Sequence, residues 1–432
     1  MTPWEMTTIG EIGQVFDGPH ATPKTIDDGP VFLGISSLNF GRLDLSNTRH
    51  VSEEDFAKWT KRVEPKAGDI VFSYETKIGE AAVVPKGLRC CLGRRMGLVR
   101  LDPAKCDARY FLYQYLSPNY QQFLASRTVH GATVDRLLLK DFPSFDFPLP
   151  PIEEQREIAA VLGVLDDKIE LNRKTAATLE AMARALYRSW FVDFDPVRAK
   201  AEGRTPAHMD EATAALFPDS FGDDGLPVGW ELEPVRSLCS QVKQTVKPME
   251  APDAEFWHFS LPAYDNGAVP VRELGAAIKS NKLFVPNDAI LFSRLNPSIP
   301  RVWWARADHS VATPAASTEF FVARARASDE TPWLYCLLSS PEFREQALFR
   351  VTGTSNSHQR VPPTTLAEIE VVAATPELIS AFGRNTATIF DRIHTMSQEN
   401  QTLAALRDAL LPRLMSGELR VGEAREQVED VA

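Results

Sequence analysis

Two kinds of loop in this chain hold side chains suited to binding rather than to bond making. One follows a short β-branched and aromatic run: Tyr74, Glu75, Thr76 and Lys77 after Ile70 to Ser73, and Arg294, Leu295 and Asn296 after Ile290 to Ser293. The other is a glycine turn further along. There His130, Thr133 and Arg136 surround Gly131 and match the run Thr354, Ser355, Asn356, His358, Gln359 and Arg360 after Gly353. Arg94 and Arg95, preceded by Gly93, form a compact basic site. Paired donors and acceptors of this kind read base edges, while arginine, lysine and small hydroxyls position phosphates. Any one of them also suits an ordinary solvated loop.

Catalytic patterns are missing from the sequence. No G-x-x-x-x-G-K-[ST] phosphate loop, N-P-P-[YF] adenine-methylation motif or H-E-x-x-H occurs. Asn296-Pro297-Ser298 echoes the methylation motif without its second proline or aromatic ring. Asp166 and Lys168 form a D-x-K pair, but inside a heptad helix, which argues against nuclease chemistry. The five cysteines are odd in number and include no C-x-x-C pair, a pattern of reduced thiols. No apolar run approaches the roughly 20 residues of a membrane span. The start, Met1 to Glu5, is unlike a signal peptide. These features predict a cytoplasmic protein with no metal site and no membrane attachment.

A net charge of −11 argues globally against nucleic-acid binding, but the charge is unevenly spread. Lys58 to Lys140 contains fifteen Lys/Arg against seven Asp/Glu, and Arg272 to Arg326 eight against four. Basic segments inside an acidic chain fit a DNA reader that also docks proteins.

The elements that carry these loops occur twice. A shift of 224 residues places Asp167-Lys168-Ile169 on Asp391-Arg392-Ile393, Leu179 on Leu403 and Leu186 on Leu410. A slightly smaller shift places Asp69 to Ser73 on Ala289 to Ser293, and Trp4 has a counterpart in Trp230. Each copy is a mixed module followed by a long helix. Within the modules, the apolar runs read as strands, and Ala108 to Arg127 and Pro332 to Phe349 read as helices. Ile152 to Phe191 lacks proline and shows heptads at Ile158, Leu165, Asn172, Leu179 and Leu186, and at Leu162, Ile169, Ala176 and Ala183. The second copy repeats the first register at Phe382, Ile389, Met396, Leu403 and Leu410. Matching stripes predict that the two helices pair. An antiparallel pair puts one module at each end with approximate two-fold symmetry, whereas a parallel pair would cost chain entropy.

Four segments resemble the specificity (S) subunits of type I restriction–modification systems. They are Phe147-Pro148-Leu149-Pro150-Pro151-Ile152-Glu153-Glu154-Gln155, Leu186 to Pro196, Gly225 to Trp230, and Leu411 to Leu419. The second helix opens on Ala374-Thr375-Pro376-Glu377-Leu378-Ile379, a departure from the first. The resemblance implies a sequence-specific DNA-binding subunit without catalysis that reads a bipartite duplex site. It also implies two modification (methyltransferase) and two restriction (translocase–nuclease) partners, with S-adenosylmethionine, ATP and magnesium held by those partners. The expected fold is α+β: two mixed α/β target-recognition domains in tandem, with two long helices forming an antiparallel coiled coil. The domains run 1–150 and 230–374, the helices 151–198 and 375–420, with a linker at 199–229 and a tail at 421–432. Trp190, Phe191, Asp193, Phe194 and Asp195 either cap and pack the helix end or dock modification subunits. The competing reading is a coiled-coil scaffold that bridges proteins without touching DNA.

Overall fold

The computed structural model describes residues 4–20, 22–46, 48–131, 134–353 and 359–429. The chain divides into two compact units, one of residues 1–173 and 397–432, the other of residues 174–396.

In the first unit the frame is a four-stranded antiparallel sheet in the order Gly13–Asp17, Met96–Leu101, Ile70–Ser73, Ala81–Val83. Ile70–Ser73 is buried along its whole length, which explains an apolar run without alternation. A second pair, Glu5–Thr8 with Asp146–Leu149, ties the start of the module to its end. The second unit repeats this frame: Cys239–Gln241, Phe320–Ala325, Ala289–Ser293, Val302–Ala305, with Glu231–Pro234 paired to Glu370–Ala373. What surrounds the frame differs. The first unit adds a three-stranded sheet of Arg49–His50, Ile26–Leu33 and Cys90–Leu92, and the second a five-stranded sheet from residues 245–316.

The expected helices at 108–127 and 332–349 are each broken in two. Ala108–Leu116 ends before Pro118–Ser126, and Thr331–Ser339 before Pro341–Leu348. The residue before each proline, Ser117 or Ser340, is driven to extended backbone (ψ 146 and 148), because the proline ring disfavours a helical predecessor. Each serine then caps the following helix, and the proline occupies a first-turn position that needs no N–H donor. Asp107 caps the first helix of its pair, its carboxylate accepting from the N–H groups of Arg109 and Tyr110.

The two long helices are Ile152–Phe191 and Pro376–Met415, each 40 residues. In the first unit they run antiparallel: Arg407 meets Asp166 at 2.8 Å, while Asn172 donates to Glu399 and Asn400 at 3.0 Å each. Ile158, Leu162, Leu165 and Ile169 share one core with Leu403, Leu410 and Leu414. Residues 421–429, expected as a tail, form a helix that buries Val421, Ala424 and Val428 in that same core. In the second unit Ala183, Tyr187 and Trp190 pack with Leu378, Ile379 and Phe382. All five cysteines are free and buried. Among the described residues no helix is long and apolar enough to cross a membrane.

Candidate nucleic-acid interface

At the end of its buried strand each frame carries the same backbone clasp. In the first unit Arg136 forms isolated β-bridges to both Glu75 and Val129. The Leu137 N–H donates to the Tyr74 carbonyl at 2.8 Å, and the Tyr74 N–H to the Arg95 carbonyl at 3.3 Å. Three segments far apart in sequence therefore meet: the loop at Tyr74, the turn at Arg95 and the arm around Gly131. In the second unit Arg360 bridges Leu295 and Thr352. Val361 donates to the Arg294 carbonyl at 3.1 Å, and Arg294 to the Glu319 carbonyl at 2.8 Å. Ser73 and Ser293 complete the match, each hydroxyl donating to the carbonyl two residues on. Thr76 and Asn296, at the same place in the two loops, both take the left-handed backbone region (φ 68 and 47).

On this shared backbone the side chains diverge. Arg95 lies 2.8 Å from the Glu75 carboxylate and donates to the Thr76 hydroxyl at 3.3 Å, locking the first loop. The structurally equivalent position in the second unit is Glu319, and it accepts two near-parallel bonds from Arg360 at 2.9 and 3.0 Å. That pairing raises the Arg360 pKa, through the hydrogen bond first and the carboxylate charge second. Arg294 is half-buried, donates to the Thr318 carbonyl, and its pKa is lowered by desolvation. Asn296 donates its backbone N–H to the Gln359 carbonyl at 2.9 Å, while its side-chain oxygen is buried without a donor among the described residues.

Several expected recognition residues serve the fold. Tyr74 is buried and donates its hydroxyl to Asp17 at 3.0 Å; burial, then the Asp17 charge, raise its pKa. The Lys77 ammonium bonds the Leu38 carbonyl at 3.1 Å. Arg94 and Arg136 are exposed and, among the described residues, have no acidic partner. His130 is exposed and 3.1 Å from Asp135. Thr133, Thr354, Ser355, Asn356 and His358 lie outside the described residues. Gly93 is required by packing rather than by an approaching ligand, since a Cβ there would stand 2.4 Å from the Leu33 carbonyl oxygen.

The aromatic cluster at the end of the first long helix is core. Trp190 and Phe191 are 2% and 3% exposed, and their rings pack against Phe217, Trp230, Trp333 and Phe382. Phe194 packs on Phe221 and Trp230, Asp193 pairs with Arg188, and Asp195 accepts from Ser189. Trp190 and Phe191 are therefore part of the core, whereas Asp193 and Phe194 are half-buried and Asp195 is exposed.

Three polar residues of the first long helix have structural roles that their sequence positions did not announce. Gln155, fully buried, accepts from the Asp107 N–H at 2.9 Å and donates to the carbonyls of Lys105 and Pro150 at 3.1 and 2.8 Å. Asp166 is held by Arg42, Tyr113 and Arg407, and Lys168 pairs with Glu399. Among the described residues no group of three or more His, Cys, Asp or Glu side chains could hold a metal ion.

The doubled α+β frame with matching clasps on long helices defines a tandem-module protein. Residues 1–181 match the model for the type I restriction modification DNA specificity domain. That segment is similar to the type I restriction–modification specificity subunits, and the relatives that the longer chain matches are subunits of that kind. It is 24% identical over 448 positions to the type I restriction enzyme MjaIX specificity subunit of Methanocaldococcus jannaschii, covering 97% of this chain and 94% of that one. The HindI specificity subunit of Haemophilus influenzae is 27% identical over 345 residues, 67% of this chain and 72% of that relative. The fold is that of the type I S subunit from M. genitalium, with a TM-score of 0.53 at 15% identity over 96% of each chain.

Proposed function

We propose that this chain is the non-catalytic DNA-reading subunit of a type I restriction–modification complex, and that each unit reads one half of a bipartite duplex site. The observation that carries this reading is the repeated clasp: one backbone frame at two places, bearing different side chains at matched positions (Thr76 and Asn296, Glu75 and Leu295, Arg95 and Glu319). A common frame with divergent polar contents is what two readers of different sequences require. Chemistry would come from the modification and restriction partners, which would hold S-adenosylmethionine, ATP and magnesium. The faces of the long helices support docking better than the buried aromatic cluster does. Val164 and Leu171, seven residues apart on one helix, are 50% and 60% exposed.

The test is an exchange of residues 1–150 for the corresponding module of another specificity subunit, followed by mapping of methylated adenines. One half-site should change and the other persist. Changes in both halves would refute modular reading, and a complex that binds no duplex DNA would leave the protein-bridging scaffold.

A further inference from the structure

Beside the clasp of the first unit lies a cleft of about 440 Å³ lined by Asp17, His20, Lys58, Trp59, Lys61 and Arg62, with buried Val63 and Leu92 beneath. We infer that this cleft binds the sugar–phosphate backbone of DNA and holds the duplex against the first recognition surface; the inference rests on the DNA-reading function proposed above.

Three observations carry it. Lys58, Lys61 and Arg62 are exposed and, among the described residues, have no acidic partner, in a chain where many arginines are paired. Lys58 lies in the last turn of the helix Glu53–Trp59, where a cation complements the helix carbonyls, but Lys61 and Arg62 lie beyond it and have no such reason to be there. Second, the cleft is joined to the clasp. Asp17 accepts from the Tyr74 hydroxyl at 3.0 Å with one oxygen, and its other oxygen lies 2.9 Å from His20 on the cleft wall. Gly18 also packs so closely on the Gly93 turn that a Cβ would stand 2.8 Å from the Gly93 carbonyl oxygen; Arg94, exposed and without an acidic partner among the described residues, is the next residue. Arg94 and the cleft cations therefore flank the same Gly18–Gly93 contact. Third, Trp59 lines the cleft between Lys58 and Lys61, so the cations are grouped around one partly buried ring.

A backbone-binding cleft contributes affinity without sequence preference. The test compares the full chain, in complex with its modification partners, with the variant Lys58→Gln/Lys61→Gln/Arg62→Gln. Binding is measured to a duplex carrying the mapped site and to one lacking it, between 50 and 200 mM KCl. Each phosphate contact contributes roughly 0.9 to the slope of log affinity against log salt. The triple variant should lose about 2–3 from that slope on both duplexes, while Lys58→Arg/Lys61→Arg should keep it. Unchanged melting would show that the Gln variant is folded. An unchanged slope alongside normal wild-type binding would overturn the cleft assignment and leave the proposed function standing. Relaxation at a single base pair would make the cleft a base reader and equally overturn it. If the wild-type complex bound neither duplex, the proposed function itself would fall.

Discussion

Arg136 and Arg360 hold equivalent backbone places, yet their guanidinium groups face different circumstances. Arg136 is exposed without an acidic partner among the described residues, whereas Arg360 is engaged twice by Glu319. A charge already paired releases little counterion when DNA arrives. Arg136→Ala should therefore lower the salt slope of duplex binding by roughly 0.9, and Arg360→Ala by much less. Equal losses would show that DNA displaces Glu319. Gln155 belongs to the same scale. It satisfies three buried backbone groups at the start of the long helix, so Gln155→Ala should orphan all three and cost about 3 kcal/mol. The readout is thermal melting, with an expected fall of roughly 6–12 °C. The aligned position of the second helix is Ile379, fully buried in apolar surroundings, so one frame tolerates both a polar and an apolar solution there.

Among elements, the paired helices carry one polar layer that the heptads alone would not favour. Asn172 occupies a seam position, is 4% exposed, and bonds Asn400 and Glu399. A buried amide in such a seam specifies register at a cost in stability. Replacing the amide pair, Asn172→Leu/Asn400→Leu, should raise the unfolding midpoint of the chain by about 2–4 °C, since about 1 kcal/mol of desolvation is relieved. Glu399 keeps Lys168 as its partner at 3.1 Å, so no carboxylate is stranded. A lowered midpoint would mean that the amide pair contributes net stability.

For the whole molecule, the bonding of Asn172 to Asn400 dictates how a lengthening experiment must be built: an insertion in one helix alone breaks the antiparallel register, so both are extended. Four residues added after each asparagine lengthen each helix by about 6 Å and turn it through little more than one revolution, keeping the apolar faces in phase. At roughly 3.4 Å per base pair, the spacer of the methylated site should grow by one or two base pairs with both half-sites intact. Two residues added at each place rotate the stripe by about 200° and should abolish activity through lost pairing. An active four-residue variant with an unaltered spacer would show that the helices do not measure DNA.

The tandem layout, the strands at Ile70 and Ala289 and the two 40-residue helices were legible in the sequence because each rests on local periodicity or on a repeated motif, signals that survive without knowledge of partners. The breaks at Ser117 and Ser340 went unread, because the helical pattern on either side hid the signal of the prolines that follow. The two recognition loops could be marked as regions, since polar and glycine-rich composition is local. Which of their side chains are spent internally was not legible. Asp17 takes Tyr74, Leu38 takes Lys77 and Glu319 takes Arg360 over separations of 57, 39 and 41 residues. Trp190 and Phe191 could equally be core or interface by residue type, and the packing of Trp230, Trp333 and Phe382 around them makes them core. Hydrogen bonds and burial are set by neighbours brought together only when the chain closes, so availability for DNA belongs to the folded unit and not to the order of its residues.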